Sequence, residues 1–201
     1  MAYASWVTPD KNSGNGNDTV AWTGSAHTGR SARTTTATFS ASGVESKTLT
    51  IIQAGATEFV TIDATAAVAK AGGSVTITGT SNSSKLTFSL TGANNIGLTL
   101  PASYTANSVT TNNGAAITGD PGATQQYSFS ITFTGIDENT SISALTSQLT
   151  VTANGSQTAT CDITQAAGDA YLTISPSTIN LTAAGTAVSV TVSSNTSWTI
   201  A

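Results

Sequence analysis

Apolar residues alternate with hydroxyl-bearing residues along much of this chain. The alternation is clear in Ser74–Thr78, Tyr127–Phe133 and Val188–Val192, where every second residue is apolar and serine or threonine lies between. Because successive side chains of a strand point to opposite faces, a period of two predicts half-buried strands. Clusters of Gly, Asn, Asp and Ser separate these runs, as expected of turns. The pattern predicts an all-β protein of sandwich type, built from many short strands.

The alternating segments also recur along the chain with one constant offset. The stretch Ile51–Gly55 (IIQAG) returns as Ile163–Ala167 (ITQAA), and Phe59–Ile62 returns at the same offset as Tyr171–Ile174. We call this spacing, which takes Gln53 to Gln165, the repeat offset. Separate segments that keep one spacing indicate a repeated structural unit. Three further segments recur: Pro9 as Pro121 and 37–43 as 149–155 at the repeat offset, and 75–82 as 188–195 after a single-residue insertion.

The repeat divides the chain into one intact unit and two halves. Residues 56–168 form the intact β-sandwich repeat, residues 1–55 correspond to its second half, and residues 171–201 correspond to its first half. The expected architecture is therefore a pair of tandem β-sandwich domains, one of which is split between the two chain ends. In that domain, residues 171–201 complement residues 1–55.

Half a sandwich exposes an apolar face and unpaired strand edges, so the halves need partners. They could pair within one chain, between chains as a ring or a head-to-tail fibre, or with neighbouring repeats of a longer chain. Tethering favours pairing within the chain, because it raises the effective concentration of one half for the other. The sequence leaves all three arrangements open.

Several short motifs of the chain match the pattern of a known family. They are Leu172–Ser177, Ala184-Gly185, Val190–Trp198, Ser5–Pro9, Ser13–Asn17 and Ile51–Gly55. These motifs resemble the BACON domain, a family of immunoglobulin-like β-sandwiches from gut Bacteroidetes and their phages. The intact unit departs from the family pattern, because Lys85-Leu86 stands where a Ser-Trp pair is expected. The resemblance implies an immunoglobulin-like fold, and a role in modular surface architecture or in carbohydrate and mucin binding.

Charge and hydropathy exclude several classes of partner. The chain has 6 basic and 10 acidic residues and a net charge of -4, so it lacks the clustered Lys and Arg that bind nucleic acid. No run of apolar residues is long enough to insert into a membrane. The first residues, Met1–Trp6, lack the basic and apolar regions of a signal peptide, so we expect no export by the ordinary secretory route if Met1 is the natural start of the protein.

Chemistry-bearing residues are few and scattered. Cys161 is the only cysteine, which excludes an internal disulfide, and its alternating surroundings predict a small buried side chain. The segment Asp10–Asp18 is rich in oxygen ligands, but it lacks the acidic spacing and closing Glu of a calcium loop and suits a turn better. His27 is the only histidine and lies in a predicted loop. We therefore predict no catalytic set, no metal site and no cofactor.

Aromatic residues provide the remaining candidates for binding. Trp22, Tyr3 and His27 are the candidate glycan contacts, whereas the resemblance to the BACON family implies that Trp6 and Trp198 lie in the core. The leading hypothesis is a non-enzymatic structural or adhesive protein of a gut, crAss-like phage particle, such as a capsid decoration or head-fibre component. It would be made in the host cytoplasm and contact the capsid lattice, other copies of itself or host-surface glycans. The alternative is a carbohydrate- or mucin-binding module on the bacterial cell surface.

Overall fold

The computed structural model describes residues 3–92 and 96–201, and it confirms the predicted all-β fold. Alternation of apolar and hydroxyl residues becomes strand, and the Gly- and Asn-rich clusters become turns. The strands in chain order are β1 (Val7–Pro9), β2 (Trp22–Gly24), β3 (Arg33–Phe39), β4 (Lys47–Gln53), β5 (Val60–Ile62), β6 (Thr65–Val68), β7 (Gly73–Ser81), β8 (Leu86–Thr91), β9 (Ser103–Ala106), β10 (Val109–Asn112), β11 (Tyr127–Ile136), β12 (Leu145–Ala153), β13 (Thr158–Gln165), β14 (Leu172–Ser175) and β15 (Thr191–Ser194).

Strands β5 to β13 form two facing sheets within residues 56–168. One sheet has the order β10-β9-β11-β7-β5 and the other has the order β6-β13-β12-β8. The chain crosses from the first sheet to the second between β5 and β6, where β6 pairs in parallel with β13. Neighbours that are distant in sequence, such as β7 and β11, tie the sandwich together. The strands predicted at Ser74–Thr78 and Tyr127–Phe133 are confirmed as parts of β7 and β11.

The core lies between these two sheets and is made by the apolar positions of the alternating pattern. Its fully buried members come from both sheets, so each sheet covers the apolar face of the other. The cysteine is one of them, as predicted, and burial raises the pKa of the Cys161 thiol to about 11. Other fully buried side chains are Ile77, Leu86, Ile131, Phe133, Leu149, Val151 and Ile163.

The two halves form only two-stranded sheets. Strands β1 and β2 pair, β3 pairs with β4, and β14 pairs with β15. The strand predicted at Val188–Val192 begins only at Thr191. Its counterpart in the intact unit has β11 as a second neighbour, and the described residues provide no such neighbour for 188–190. Trp198, expected in the core, is 48% exposed for the same reason.

The halves are attached at opposite ends of the intact sandwich. The β12–β13 turn lies at the end where β5 begins, since Asn154 N donates to Ser83 Oγ, which contacts Glu58. The other end contains Gly168, whose N–H donates to Ser141 O at 2.7 Å. Strand β13 separates the two ends, and its length of 8 residues corresponds to about 25 Å. Among the described residues no hydrogen bond joins 3–55 to 171–201, so their mutual pairing stays a prediction.

Candidate functional site

An open groove lies on the surface of residues 3–55. It has a volume of about 530 Å³. One wall comes from the loop 11–18, and another comes from β3 and the turn that follows it. Apolar and polar residues share the lining, which includes Tyr3, Trp22, Ala37, Phe39, Val44 and Lys47.

Two of the three predicted glycan contacts meet in this groove. The rings of Tyr3 and Trp22 pack edge to face, with centroids 5.3 Å apart. The Tyr3 hydroxyl donates to Asn12 Oδ1 at 3.1 Å, which holds the ring against the loop. His27 does not line the groove; its Nε2 lies 2.7 Å from Ser31 O, within its own loop. The structure therefore brings two of the candidate residues together and separates the third from them.

The groove occupies the position of a sandwich core. Ala37 and Phe39 line it, and the repeat offset takes them to Leu149 and Val151 of β12. Both of those side chains are fully buried in the intact unit, whereas Phe39 is exposed. The groove in residues 3–55 is therefore lined by one face of β3. The corresponding face of β12 packs against the opposite sheet of the intact unit.

The oxygen-rich loop at the rim of the groove satisfies its carboxylates internally. Asp18 Oδ1 accepts from Lys11 Nζ at 2.9 Å and from Thr19 N at 2.8 Å. The hydrogen bond from Lys11 is the main reason why the pKa of Asp18 is lowered from its ordinary value. Asp10 Oδ1 accepts from Ala21 N. Within residues 3–92 and 96–201 no three His, Cys, Asp or Glu side chains are grouped so as to hold a metal ion.

A cluster of charged residues that sequence reasoning missed fixes this half to the intact unit. Arg30 donates to both carboxylate oxygens of Asp120, at 2.6 and 2.8 Å, and to Asn82 O at 2.6 Å. Its Nε lies 3.0 Å from Glu58 Oε1, and Glu58 also contacts Ser83 Oγ. The Glu58 side chain is buried and those of Arg30 and Asp120 are partly buried, and charged groups shielded from water in this way need such partners. No sequence motif indicates the cluster, because Arg30 and Asp120 are 90 residues apart.

The charge cluster shifts the pKa values of its own members. The hydrogen bond with Asp120 raises the pKa of Arg30 above its ordinary value. Burial by itself would raise the pKa of Asp120, but hydrogen bonds from Arg30 and from Gly122 N hold it below the ordinary value. Arg30 and Asp120 are therefore stabilised in their ionised forms, and the cluster forms an electrostatic joint between β4 and β5.

A second, shallower depression lies on the outer face of the five-stranded sheet. It is lined by Thr78, Gly79 and Thr80 of β7 and by Ser128 and Ser130 of β11. Threonine hydroxyls surround it, and Asp63 Oδ2 accepts from both the N–H and the hydroxyl of Thr78. The donors and acceptors there are largely paired with each other, which leaves a flat hydroxyl surface.

Comparison with known proteins adds no assignment. No protein-family model and no curated protein matches the chain. Within the described residues no helix is long and apolar enough to cross a membrane.

Proposed function

We propose that this protein is a non-enzymatic structural or adhesive component of a bacteriophage particle, either a capsid decoration or part of a head fibre. The observation that carries the proposal is the contrast between one fully packed sandwich and two attached half-sandwiches with exposed apolar faces. Monomeric proteins rarely leave such faces open, whereas assembly proteins use them as contacts.

The surface supports a role in assembly more than one in chemistry. Only 16 of the 201 residues are charged. In the groove Lys11 pairs with Asp18, and at the joint Arg30 pairs with Asp120. Catalysis needs convergent polar groups with shifted pKa values at an open site. The groove offers a carboxylate whose charge Lys11 neutralises and two aromatic rings packed on each other.

The immunoglobulin-like and BACON-like assignments belong to the same proposal. They are supported by the strand orders, which group β5, β7, β11 and β9 in one sheet and β8, β12 and β13 in the other, as an immunoglobulin-type sandwich would. Domains of this architecture occur in many extracellular and particle-surface proteins, so the fold agrees with a virion location without requiring it.

Immunogold labelling of purified phage particles tests this proposal. An antibody raised against residues 56–168 would be applied to particles from the phage whose genome encodes the chain, with particles from an unrelated phage as control. We expect gold on the capsid and the intact chain in the particle's mass spectrum. Labelling confined to the bacterial envelope would contradict the virion role and would favour a cell-surface location.

The alternative function is glycan binding in the groove. Tyr3 and Trp22 lie beside amide and ammonium groups from Asn12 and Lys11, a combination suited to stacking on a sugar ring and hydrogen bonding to its hydroxyls. A glycan or mucin array tests this alternative with Trp22→Ala, and with Tyr171→Ala as the matched control outside the groove. Saturable binding that only Trp22→Ala abolishes would support it, and equal binding by both variants would exclude it.

A further inference from the structure

We propose that residues 171–201 of one copy complete the sandwich of residues 1–55 of a second copy, so that chains join head to tail. The composite domain would contain both halves of the repeat and would link two intact units in series. The inference goes beyond the proposed virion role and does not depend on it, because it concerns self-association in solution.

The C-terminal half already has the local structure of the corresponding strands in the intact unit. Leu172 pairs with Ser194 in β14–β15, and Val60 pairs with Ser81 in β5–β7. These pairs are equivalent, since the repeat offset takes Val60 to Leu172 and the offset after the insertion takes Ser81 to Ser194. Further along both ladders the registers stay in step. Residues 171–201 therefore carry a preformed copy of the β5–β7 pair.

Side-chain hydrogen bonds repeat in the same places. Ser194 Oγ contacts Tyr171 O at 2.9 Å, as Ser81 Oγ contacts Phe59 O at 2.6 Å. Asn195 repeats the backbone bonds of Asn82. Asn82 Oδ1 accepts from Phe59 N, and Asn82 Nδ2 donates to Thr57 O. In the same way Asn195 Oδ1 accepts from Tyr171 N, and Asn195 Nδ2 donates to Asp169 O. In the intact unit Asn82 Nδ2 makes one more bond, to Ala123 O in the second half of the repeat. The additional bond of Asn195 Nδ2 goes instead to Thr140 O of the intact unit, at 3.4 Å, and not to the second half of a repeat.

The N-terminal half repeats the other side of the sandwich. Every pair of the β3–β4 ladder, from Arg33↔Gln53 to Phe39↔Lys47, corresponds at the repeat offset to a pair of the β12–β13 ladder. Gln53 Nε2 donates to Ser25 O at 2.9 Å, as Gln165 Nε2 donates to Asp137 O at 2.7 Å. In the intact unit β13 has a further neighbour, β6, and the corresponding edge of β4 has no strand paired to it in the described residues.

The repeat identifies the strand that fits this open edge. The turn at Gly185, whose N–H donates to Thr182 O, repeats the turn at Gly72, whose N–H donates to Ala69 O. The spacing that relates these two turns takes β6 to residues 178–181. By analogy with the parallel β6–β13 ladder, Ile179 would lie beside Ile51, and Leu181 would lie beside Gln53.

The apolar faces of the halves match buried positions of the intact unit. Val190 is 38% exposed, and its counterpart Ile77 is completely buried. Leu181 corresponds in the same way to the buried Val68, and Phe39 to the buried Val151. Burial would cost no charged group in the C-terminal half, because residues 171–201 contain no Asp, Glu, Lys or Arg.

The area available is sufficient for a stable interface. Most of the exposed large apolar side chains of the described surface belong to residues 171–201, and their exposed fractions range from 38% to 86%. At on the order of 100 Å² apiece they offer roughly 900 Å², comparable with the ~800 Å² that each partner of a standard interface buries. A second copy can cover this surface with a face of matching register.

Attachment at opposite ends explains why the partner is a second copy. The joint at Arg30 and Glu58 holds residues 1–55 at one end of the intact sandwich, and Gly168 anchors the other half at the far end. Both linkers are hydrogen-bonded to the intact unit, through Thr57 O and Gly168 N, so neither can follow the other half without losing those bonds. Two chains in line meet without any such loss.

Sedimentation velocity of the full chain at several concentrations tests the proposal. We expect the mass to rise with concentration in steps of one chain. Val190→Asp should leave a monomer, because the charge would enter the composite core. Val109→Asp, on β10 of the intact unit and equally exposed at 39%, should still assemble. A chain that stays monomeric at all concentrations would overturn the proposal.

Mixing two blocked variants then tests the head-to-tail direction. Val190→Asp damages only the donated half, and Phe39→Asp damages only the accepting half, so an equimolar mixture should form a dimer and stop there. The register is tested by oxidising Thr50→Cys/Thr178→Cys in a Cys161→Ser background, where we expect disulfide-linked chains. A disulfide found only within single chains would show that the two halves pair within one chain, and it would overturn the proposal. Failure of the two blocked variants to associate would also overturn it. None of these results bears on the immunogold test of the virion role.

Discussion

The same strand hairpin occurs twice in this molecule, as β12–β13 in the intact unit and as β3–β4 in residues 1–55. All seven pairs of the β3–β4 ladder have counterparts in the β12–β13 ladder, yet Val151 and Cys161 are completely buried while their counterparts Phe39 and Leu49 are exposed. Leu49 is 37% exposed. The comparison shows that pairing within a hairpin is a local property, whereas burial depends on a second sheet.

The exposed surface shows the same contrast between the intact unit and the halves. Of the large apolar side chains exposed in the described residues, only Val109 and Ile142 belong to the intact unit. All the others lie in residues 3–55 or 171–201. Since each buried apolar side chain stabilises a fold by about 1.5–3 kcal/mol, the intact unit should carry most of the stability of the monomer.

The largest effect is expected where equivalent residues differ most in burial. Ile163→Ala should lower the free energy of unfolding by about 3 kcal/mol, because it leaves a cavity in a closed core. Ile51→Ala, its counterpart in β4, should cost less than about 1 kcal/mol in the monomer, since its neighbours can close over the space. Urea unfolding followed by circular dichroism measures both. Equal losses would show that residues 1–55 are packed as tightly as the intact unit.

The next effect concerns the two joints between the units. Arg30→Met should cost about 2 kcal/mol, because it leaves Glu58, which is 7% exposed, without its ion pair. At the other end of the intact unit, Lys70 forms an ion pair with Asp169 of the C-terminal linker. Lys70→Met should cost less than about 1 kcal/mol, since Asp169 is largely exposed. Thermal unfolding at low and high salt compares the two variants, and a larger loss for Lys70→Met would contradict this ranking.

The pH dependence of the Arg30 joint follows from the lowered pKa of Asp120. A carboxyl whose folded pKa lies below its ordinary value of 3.8 stabilises the fold above that value. The stabilisation is lost as the pH falls through the lowered pKa, because protonation removes the partner of Arg30. Acid titration of unfolding should therefore show a steeper loss of stability in the parent chain than in Asp120→Asn. Identical acid profiles would contradict the assignment.

A smaller effect is expected at the paired glutamines. Gln165 is 1% exposed and donates to Asp137 O, so Gln165→Ala should cost about 1–2 kcal/mol. Gln53→Ala, which removes the corresponding bond to Ser25 O at a partly exposed site, should cost only a few tenths of a kcal/mol in the monomer. The difference between the stability losses of Gln165→Ala and Gln53→Ala should become smaller when the chain is concentrated enough to assemble. Urea midpoints at two protein concentrations measure it.

The smallest perturbation uses thiol reactivity at equivalent positions. Burial raises the pKa of Cys161 to about 11, so a thiol reagent in mildly alkaline buffer should label it only when the intact unit opens. Leu49→Cys in a Cys161→Ser background places a thiol at the matching position of β4. We expect rapid labelling of that thiol in dilute solution and protection as the concentration rises. Rapid labelling at every concentration would show that this face is never covered.

The sequence predicted the parts of the fold that depend on local patterns. Alternation located β7 and β11, and the repeat offset anticipated the equivalence of Gln53 and Gln165, whose side chains do bond to equivalent carbonyls. It also placed Cys161 in the core. These features follow from the period of a strand and from hairpin register, which short segments encode.

Other features could not be predicted because they join distant parts of the chain. The contact between Tyr3 and Trp22 and the ion pair of Arg30 with Asp120 depend on how loops fold back, and no spacing rule indicates them. The expectation that Trp198 lies in a core came from the resemblance to the BACON family. In the single chain the side chain stays exposed because the sheet that would cover it belongs to the other half.

The sequence by itself therefore determined the all-β class, the repeat and the register of each hairpin, because these follow from residue alternation and short turns. Only the tertiary structure decided which of two equivalent apolar faces is buried, since burial requires a second sheet and its position is set by chain connection. It also placed the two half-units at opposite ends of the intact sandwich. That placement, imposed by the direction of β13 and by the short linkers, leaves apolar side chains of both half-units exposed in the single chain.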